Sequence, residues 1–86
     1  MDFVENLRER LQKEAGGAEA MVNELEQNAR NPNLGKQQGL REATVIGQYE
    51  ATAQQLLTTA PNNAVALAAL DHVAKLRQRV RDALGA

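Results

Sequence analysis

The side chains best suited to catalysis or metal binding are few in this 86-residue sequence, and they lie far apart. His72 is the single histidine, and the absence of cysteine leaves no thiolate zinc site and no nucleophilic thiol. Acid–base catalysis by His72 would need a polar partner positioned beside it, and the sequence places none nearby. We therefore expect His72 to be a partly buried or surface residue without a catalytic role.

The carboxylates are dispersed over helix surfaces, as at Glu5, Glu19 and Glu26, and do not cluster. No histidine–carboxylate or aspartate spacing typical of a metal site occurs. Gly35 and Gly39 form a G-x-x-x-G spacing, but they lack the preceding strand and the further glycines of a phosphate-binding loop. These patterns predict a protein that is not an enzyme and has no metal or cofactor.

The composition indicates an all-helical chain with a thin core. Hydrophobic residues make up 43% of it, with fifteen alanines, one Phe, one Tyr and no Trp, and alanine is the strongest helix former. Such a core buries modest apolar area, so we expect self-association or docking on a partner to add stability. The net charge of −1 argues against a general polyanion binder. The charged N-terminus, "MDFVENLRER", is unlike a secretion signal, and no apolar run is long enough to span a membrane.

One long first helix is predicted from about residue 2 to residue 30, with Asp2 as its N-cap. Apolar residues fall on one stripe at 100° per residue from Phe3 onward, and the stripe keeps its phase across Gly16 and Gly17. A flexible linker would not preserve that phase, so we expect the helix to be continuous there. The stripe comprises Phe3, Val4, Leu7, Leu11, Ala15, Ala18, Met21, Val22, Leu25 and Ala29.

Two further helices are predicted at about residues 34–60 and 64–84. Pro32 and Pro61 mark the two breaks, Asn33 and either Asn62 or Asn63 can cap the helices that follow, and Gly85 suits the last stop. Short connections between long helices imply antiparallel neighbours. We therefore predict that residues 1–86 form a single domain, an elongated up-down-up three-helix bundle built on a long antiparallel helical hairpin.

Two acidic residues, Glu14 and Glu42, fall on helix faces that should be buried. One interpretation places each at the edge of its stripe, either extending to solvent or paired with an arginine of a neighbouring helix, because a buried unpaired carboxylate is costly. The other is a polar contact in an oligomer interface that sets its register.

The back of the second helix carries few charges, and we predict that it contacts a partner protein through Thr44, Gln48, Ala51 and Gln55. A basic cluster in the third helix comprises Lys75, Arg77, Arg79 and Arg81. Helical spacing places these four cations on opposite edges of the apolar stripe, whereas a nucleic-acid-binding helix would gather them on one exposed face. Aromatic residues for base stacking are scarce, so nucleic-acid binding is the weakest of the functions considered.

The stretch "LREATVIGQYEATAQQLL", Leu40 to Leu57, resembles small helical-hairpin proteins of tailed bacteriophages. In that pattern a long helix ends in a Pro/Asn/Gly turn and a Leu-rich return helix follows, and the similarity extends over roughly Glu24 to Leu57. The resemblance implies a virion-associated or assembly protein without an active site, located in the virion or in the cytoplasm of a bacterial host and not secreted. It does not extend over the third helix.

We therefore expect a non-enzymatic structural or assembly protein that acts through protein–protein contacts, as a homo-oligomer or within a larger assembly. The second hypothesis is a small regulatory or inhibitory protein that binds a larger partner. The third is a nucleic-acid-associated helical protein that uses the cluster from Lys75 to Arg81.

Overall fold

A computed structural model of the chain describes residues 2–28 and 32–85, with residues 32–40 and 42 described by their backbone alone. Three helices follow one another: α1 (Phe3–Asn28), α2 (Pro32–Thr59) and α3 (Ala64–Leu84). Each helix packs against the other two, and the molecule measures 45 × 21 × 15 Å. The prediction of an all-α, elongated three-helix bundle is confirmed. Over the described residues, no helix is both long and apolar enough to cross a membrane.

Helix α1 runs without a break through Gly16 and Gly17, as the retained phase predicts. A Cβ atom added at either glycine would meet no atom within 4 Å, so neither glycine is required by packing inside the chain. The predicted N-cap is also confirmed, since the Asp2 carboxylate accepts the backbone N–H of Val4 at 3.0 Å. Residues 29 and 30, the predicted end of this helix, lie outside the described residues.

Helix α2 begins earlier than predicted. It starts at Pro32, so Asn33 lies inside the first turn and the prediction that Asn33 is the N-cap is wrong. Proline suits the first helical position, because its fixed φ is already helical and its missing N–H would have no partner there. Pro32 is therefore the start of α2 and not part of a loop.

Helix α3 has the ends that the sequence predicts. The side chain of Asn63 accepts the N–H groups of Val65 and Ala66 at 2.9 and 3.2 Å, which identifies it as the N-cap. The preceding Asn62 has a φ of 98°, a left-handed conformation that closes the turn from α2. At the other end Gly85 has a φ of 72° and caps α3 in the left-handed conformation.

The core lies along the middle of the three helices, and most residues of the predicted α1 stripe are buried or partly buried in it. Phe3 of that stripe is 53% exposed and Leu84 of α3 is 44% exposed, because each lies at the terminal turn of its helix, where fewer neighbouring side chains surround it. Ala29 lies outside the described residues. Buried core residues are Leu7, Leu11, Ala18, Val22, Leu25, Ile46, Tyr49, Ala53, Leu56, Ala66, Ala69, Val73 and Leu76.

Candidate functional site

His72 joins all three helices through its two ring nitrogens. Its Nε2 lies 2.8 Å from Oε2 of Glu19 on α1, and its Nδ1 lies 2.7 Å from the hydroxyl oxygen of Tyr49 on α2. A carboxylate only accepts hydrogen bonds, so Nε2 carries the hydrogen and Nδ1 of the neutral ring accepts from Tyr49. The expectation that no partner is positioned beside His72 is therefore wrong, although the ring is partly buried as predicted, with 33% of the side chain exposed.

Arg79 lies seven residues, or two helical turns, beyond His72 on α3 and makes similar contacts with α1. Its guanidinium donates to Glu19 at 2.7 Å, to Glu26 at 2.6 Å and to Asn23 at 2.6 Å, all on α1. His72 and Arg79 are each 53 positions beyond their α1 partners Glu19 and Glu26. This constant offset shows that α1 and α3 run side by side in the same direction. We call the set Tyr49, His72, Glu19, Arg79 and Glu26 the polar network.

The charges of the polar network support one another. The pKa of Glu19 is lowered by its hydrogen bonds to His72 and then Arg79, and the pKa of Glu26 is lowered by its hydrogen bond to Arg79. The pKa of Arg79 is raised, first by Glu26 and then by Glu19. Since Glu19 and Glu26 are both about 40% exposed, solvent screens these pairs, and each contributes modestly to stability.

The order tyrosine, histidine, carboxylate is also the order of a nucleophile, its base and an orienting acid. Activation of Tyr49 would require a lowered pKa, whereas burial and then the charge of Glu19 raise the pKa of its hydroxyl. The Tyr49 side chain is only 2% exposed, and its ring meets the His72 ring edge to face at a centroid distance of 5.4 Å. This geometry favours a role in aligning the three helices over covalent catalysis.

An apolar groove of about 390 Å³ lies beside the polar network, between α1 and α3. Its walls carry several small side chains, and small residues leave the space between two helices unfilled. Its polar groups near Tyr49 and His72 are already bonded to each other. The residues that line it are Leu11, Gln12, Ala15, Tyr49, Val65, Ala68, Ala69 and His72.

The basic cluster is divided between the two neighbouring helices, as the spacing predicts. Arg79 turns to α1, whereas Arg77 turns to α2 and binds both carboxylate oxygens of Glu50 at 2.7 and 3.0 Å. Lys75 pairs with Asp71 on its own helix at 3.0 Å, and Arg81 is exposed beside a pocket of about 180 Å³. Three of the four cations are thus neutralised by described carboxylates, which disfavours a phosphate-binding surface.

Glu14 is half-buried, but its described contacts do not support the interpretation that the carboxylate extends to solvent or pairs with an arginine. Its described partner is not an arginine, because Oε1 accepts the Thr52 hydroxyl of α2 at 3.0 Å. The other oxygen, Oε2, is buried and has no hydrogen-bond partner among the described atoms. The side chain of Glu42, the second predicted polar contact, lies outside the described residues.

The predicted partner-contact residues share one exposed face of α2. Thr44, Gln48, Ala51 and Gln55 are all exposed, as are Ala43, Gln54, Thr58 and Thr59. The one charged residue between positions 43 and 59 is Glu50, which turns to α3 and pairs with Arg77. Over this stretch α2 therefore presents an uncharged surface, which we call the α2 face: Ala43, Thr44, Gly47, Gln48, Ala51, Gln54, Gln55, Thr58 and Thr59.

Sequence reasoning found the α2 face but missed the polar network. Its signal is present in the sequence, because Glu19 and Glu26 are seven residues apart on α1, as are His72 and Arg79 on α3. Spacings of seven place both residues of a pair on the same helix side. Matching the two pairs requires the parallel alignment of α1 and α3, which only the fold supplies.

Among the side chains described, no group of three or more histidines, cysteines or carboxylates is arranged to hold a metal ion. Comparison with known proteins finds no matching family model, no matching curated protein and no matching solved structure.

Proposed function

We propose that this chain is a non-enzymatic structural or assembly protein that works through protein–protein contacts made by the α2 face. The observation that carries the proposal is the absence of charge on an exposed surface that extends from position 43 to position 59. At 1.5 Å per residue this surface is roughly 24 Å long.

The contrast with the rest of the chain supports this choice of face. The exposed side of α1 carries Glu5, Arg10, Lys13 and Glu24, and charged residues normally cover the surface of a small domain. The buried core of a protein–protein interface is depleted in charged residues. The small residues of the α2 face would also let another helix approach closely, because interaxial distance depends on the side chains at the contact.

Gly47 adds a second reason. A glycine inside a helix costs about 0.5–1 kcal/mol relative to alanine, and a Cβ at Gly47 would meet no atom of the chain within 4 Å. The packing of the chain itself does not require this glycine. A protein surface that lies against α2 would give a reason for it.

The setting of these contacts is proposed from the resemblance of roughly Glu24 to Leu57 to hairpin proteins of tailed bacteriophages. A component of a virion or of its assembly would need helical faces for contact and no active site. Binding to a larger partner as a regulator is the alternative use of the same face, whereas the pairing of Arg77 and Arg79 with carboxylates disfavours nucleic acid.

Light scattering and sedimentation of the full chain, from micromolar to near-millimolar concentration, test the assembly function. We expect a mass that rises above the monomer, and Ala51→Glu should lower it. The matched control is Ala20→Glu, which adds the same charge to the exposed side of α1 and should leave the mass unchanged. A chain that stays monomeric throughout would contradict assembly and favour the regulatory alternative.

The nucleic-acid alternative has its own test, which is retention of the chain on DNA at low salt. Reversing the charges of Arg77 and Arg81 would abolish retention if the basic cluster binds phosphates. We expect no change in retention.

A further inference from the structure

We propose that the partner of the α2 face is α2 of a second copy of this chain, paired antiparallel about a two-fold axis at Ala51. This inference rests on the proposed function and names the occupant of the same surface. It is drawn from three properties of the face: the symmetry of its residue types, its lack of charge and the open space at Gly47.

The residue types of the α2 face repeat in mirror order around Ala51. Gln48 lies three positions before Ala51 and Gln54 lies three positions after it. Thr44 lies seven positions before Ala51 and Thr58 lies seven positions after it. Offsets of three, four and seven are those of a single helix face. An antiparallel two-fold at Ala51 places each of these residues opposite its counterpart, so glutamine meets glutamine and threonine meets threonine.

The remaining pair, four residues from the centre, is Gly47 and Gln55. The two-fold sets Gln55 of one copy over Gly47 of the other, so a long side chain covers the position that lacks one. Space is open there, since a Cβ at Gly47 would have no neighbour within 4 Å in its own chain. A parallel pairing would instead set Gly47 beside Gly47 and leave that space unfilled.

Electrostatics favour a second copy as the occupant. In a two-fold interface each residue near the axis lies close to its own copy, so any charge there would repel itself. The described α2 face has no charge to repel. Glutamine amides both donate and accept hydrogen bonds, and the amides of Gln48, Gln54 and Gln55 make no hydrogen bond to the residues that the structure describes. They are therefore able to bond to the same amides of a second copy.

Cysteine cross-linking tests the register, since the natural chain contains no cysteine to interfere. Under mild oxidation we expect Ala51→Cys to form a disulfide dimer about 10-fold faster or more than Ala20→Cys on α1, because paired thiols meet at an effective concentration on the order of mM. Disulfides require Cα atoms within about 7 Å. Gln48→Cys and Gln54→Cys should therefore each dimerise slowly alone and rapidly when the two variants are mixed.

Each outcome decides between arrangements. Rapid self-linking of Gln48→Cys would overturn the two-fold at Ala51, and rapid self-linking of both Gln48→Cys and Ala51→Cys would indicate parallel helices. Slow linking of Ala51→Cys in a chain that light scattering shows to be oligomeric would overturn the proposal while leaving the proposed function standing. A chain that is monomeric and shows no preference for position 51 would contradict both. Circular dichroism of each reduced variant ensures that the comparison is between folded chains.

Discussion

Glu19 and His72 lie 53 residues apart in the chain and 2.8 Å apart in space, joined carboxylate to imidazole. This contact joins the first helix to the third. Two turns further along α3, Arg79 makes a second connection by donating hydrogen bonds to Glu19 and Glu26. Beside it lies an open apolar groove. The seam between α1 and α3 is thus held partly by polar bonds, and its strength should respond to changes in charge.

Replacing Arg79 by alanine should lower the free energy of unfolding by about 1 kcal/mol, after allowance for screening by solvent. The variant leaves Glu19 and Glu26 close together without their shared cation. Lys75→Ala is the matched control, since it removes an exposed pair within one helix that is worth about 0.3 kcal/mol. Urea unfolding followed by circular dichroism measures both, and equal losses would contradict a special role for Arg79.

Stability should fall as the solution is acidified. In the folded chain the pKa of Glu19 is lowered by His72 and then Arg79, the pKa of Glu26 by Arg79, and the pKa of Glu50 by Arg77. As pH falls, the unfolded chain therefore binds protons first, and the stabilisation present above the ordinary glutamate pKa of 4.5 is lost as pH falls through the folded pKa values. Urea midpoints measured from neutral to acidic pH test this. Glu50→Gln should show a shallower decline, and an unchanged midpoint in the natural chain would refute the prediction.

Tyr49 should ionise at higher pH than free tyrosine, because burial and then the charge of Glu19 raise the pKa of its hydroxyl above 10.0. The chain has one tyrosine and no tryptophan, so the ultraviolet absorbance of tyrosinate reports this residue alone. The folded chain should also lose stability as pH rises through that pKa. The chain unfolded in urea serves as the control, and equal midpoints in both states would contradict the buried hydroxyl.

Gly16→Ala and Gly17→Ala should each raise stability, by about 0.5–1 kcal/mol, since both glycines lie inside a continuous helix and have open space where a Cβ would stand. Helix content by circular dichroism should rise slightly as well. Gly85→Ala is the contrasting control, because Gly85 has a φ of 72° and alanine is strained there. Loss of stability at position 16 or 17 would show that α1 is interrupted in solution.

Much of the fold could be predicted because its signals are local. Asn63 and Gly85 act within one turn of themselves, and the phase across Gly16 and Gly17 is a property of one helix. The misplaced residues have local causes too. Pro32 serves equally to end one helix and to begin the next, while Phe3 has an apolar side chain but few neighbours at its helix end.

One part of the candidate site could also be predicted from the sequence, and another part could not. The exposed, uncharged side of α2 follows from periodicity alone, which is why Gln48 and Ala51 could be chosen from the sequence. The bond between Tyr49 and His72 depends on how far α2 and α3 slide past each other, and nothing in either helix alone sets that distance. The exposed and buried faces of each helix could therefore be predicted from the sequence, whereas the side-chain contacts between helices could not.

The parallel alignment of α1 and α3 has a cost that the antiparallel pairs avoid. Short loops make α2 run opposite to both neighbours, so its dipole is favourably opposed to theirs, and the dipoles of α1 and α3 then point the same way side by side. Of the described ion pairs between fixed charges, two join α1 to α3, and both are made by Arg79, with Glu19 and Glu26. Arg79 thus places a fixed positive charge between two carboxylates of α1, along the one pair of helices whose dipoles repel.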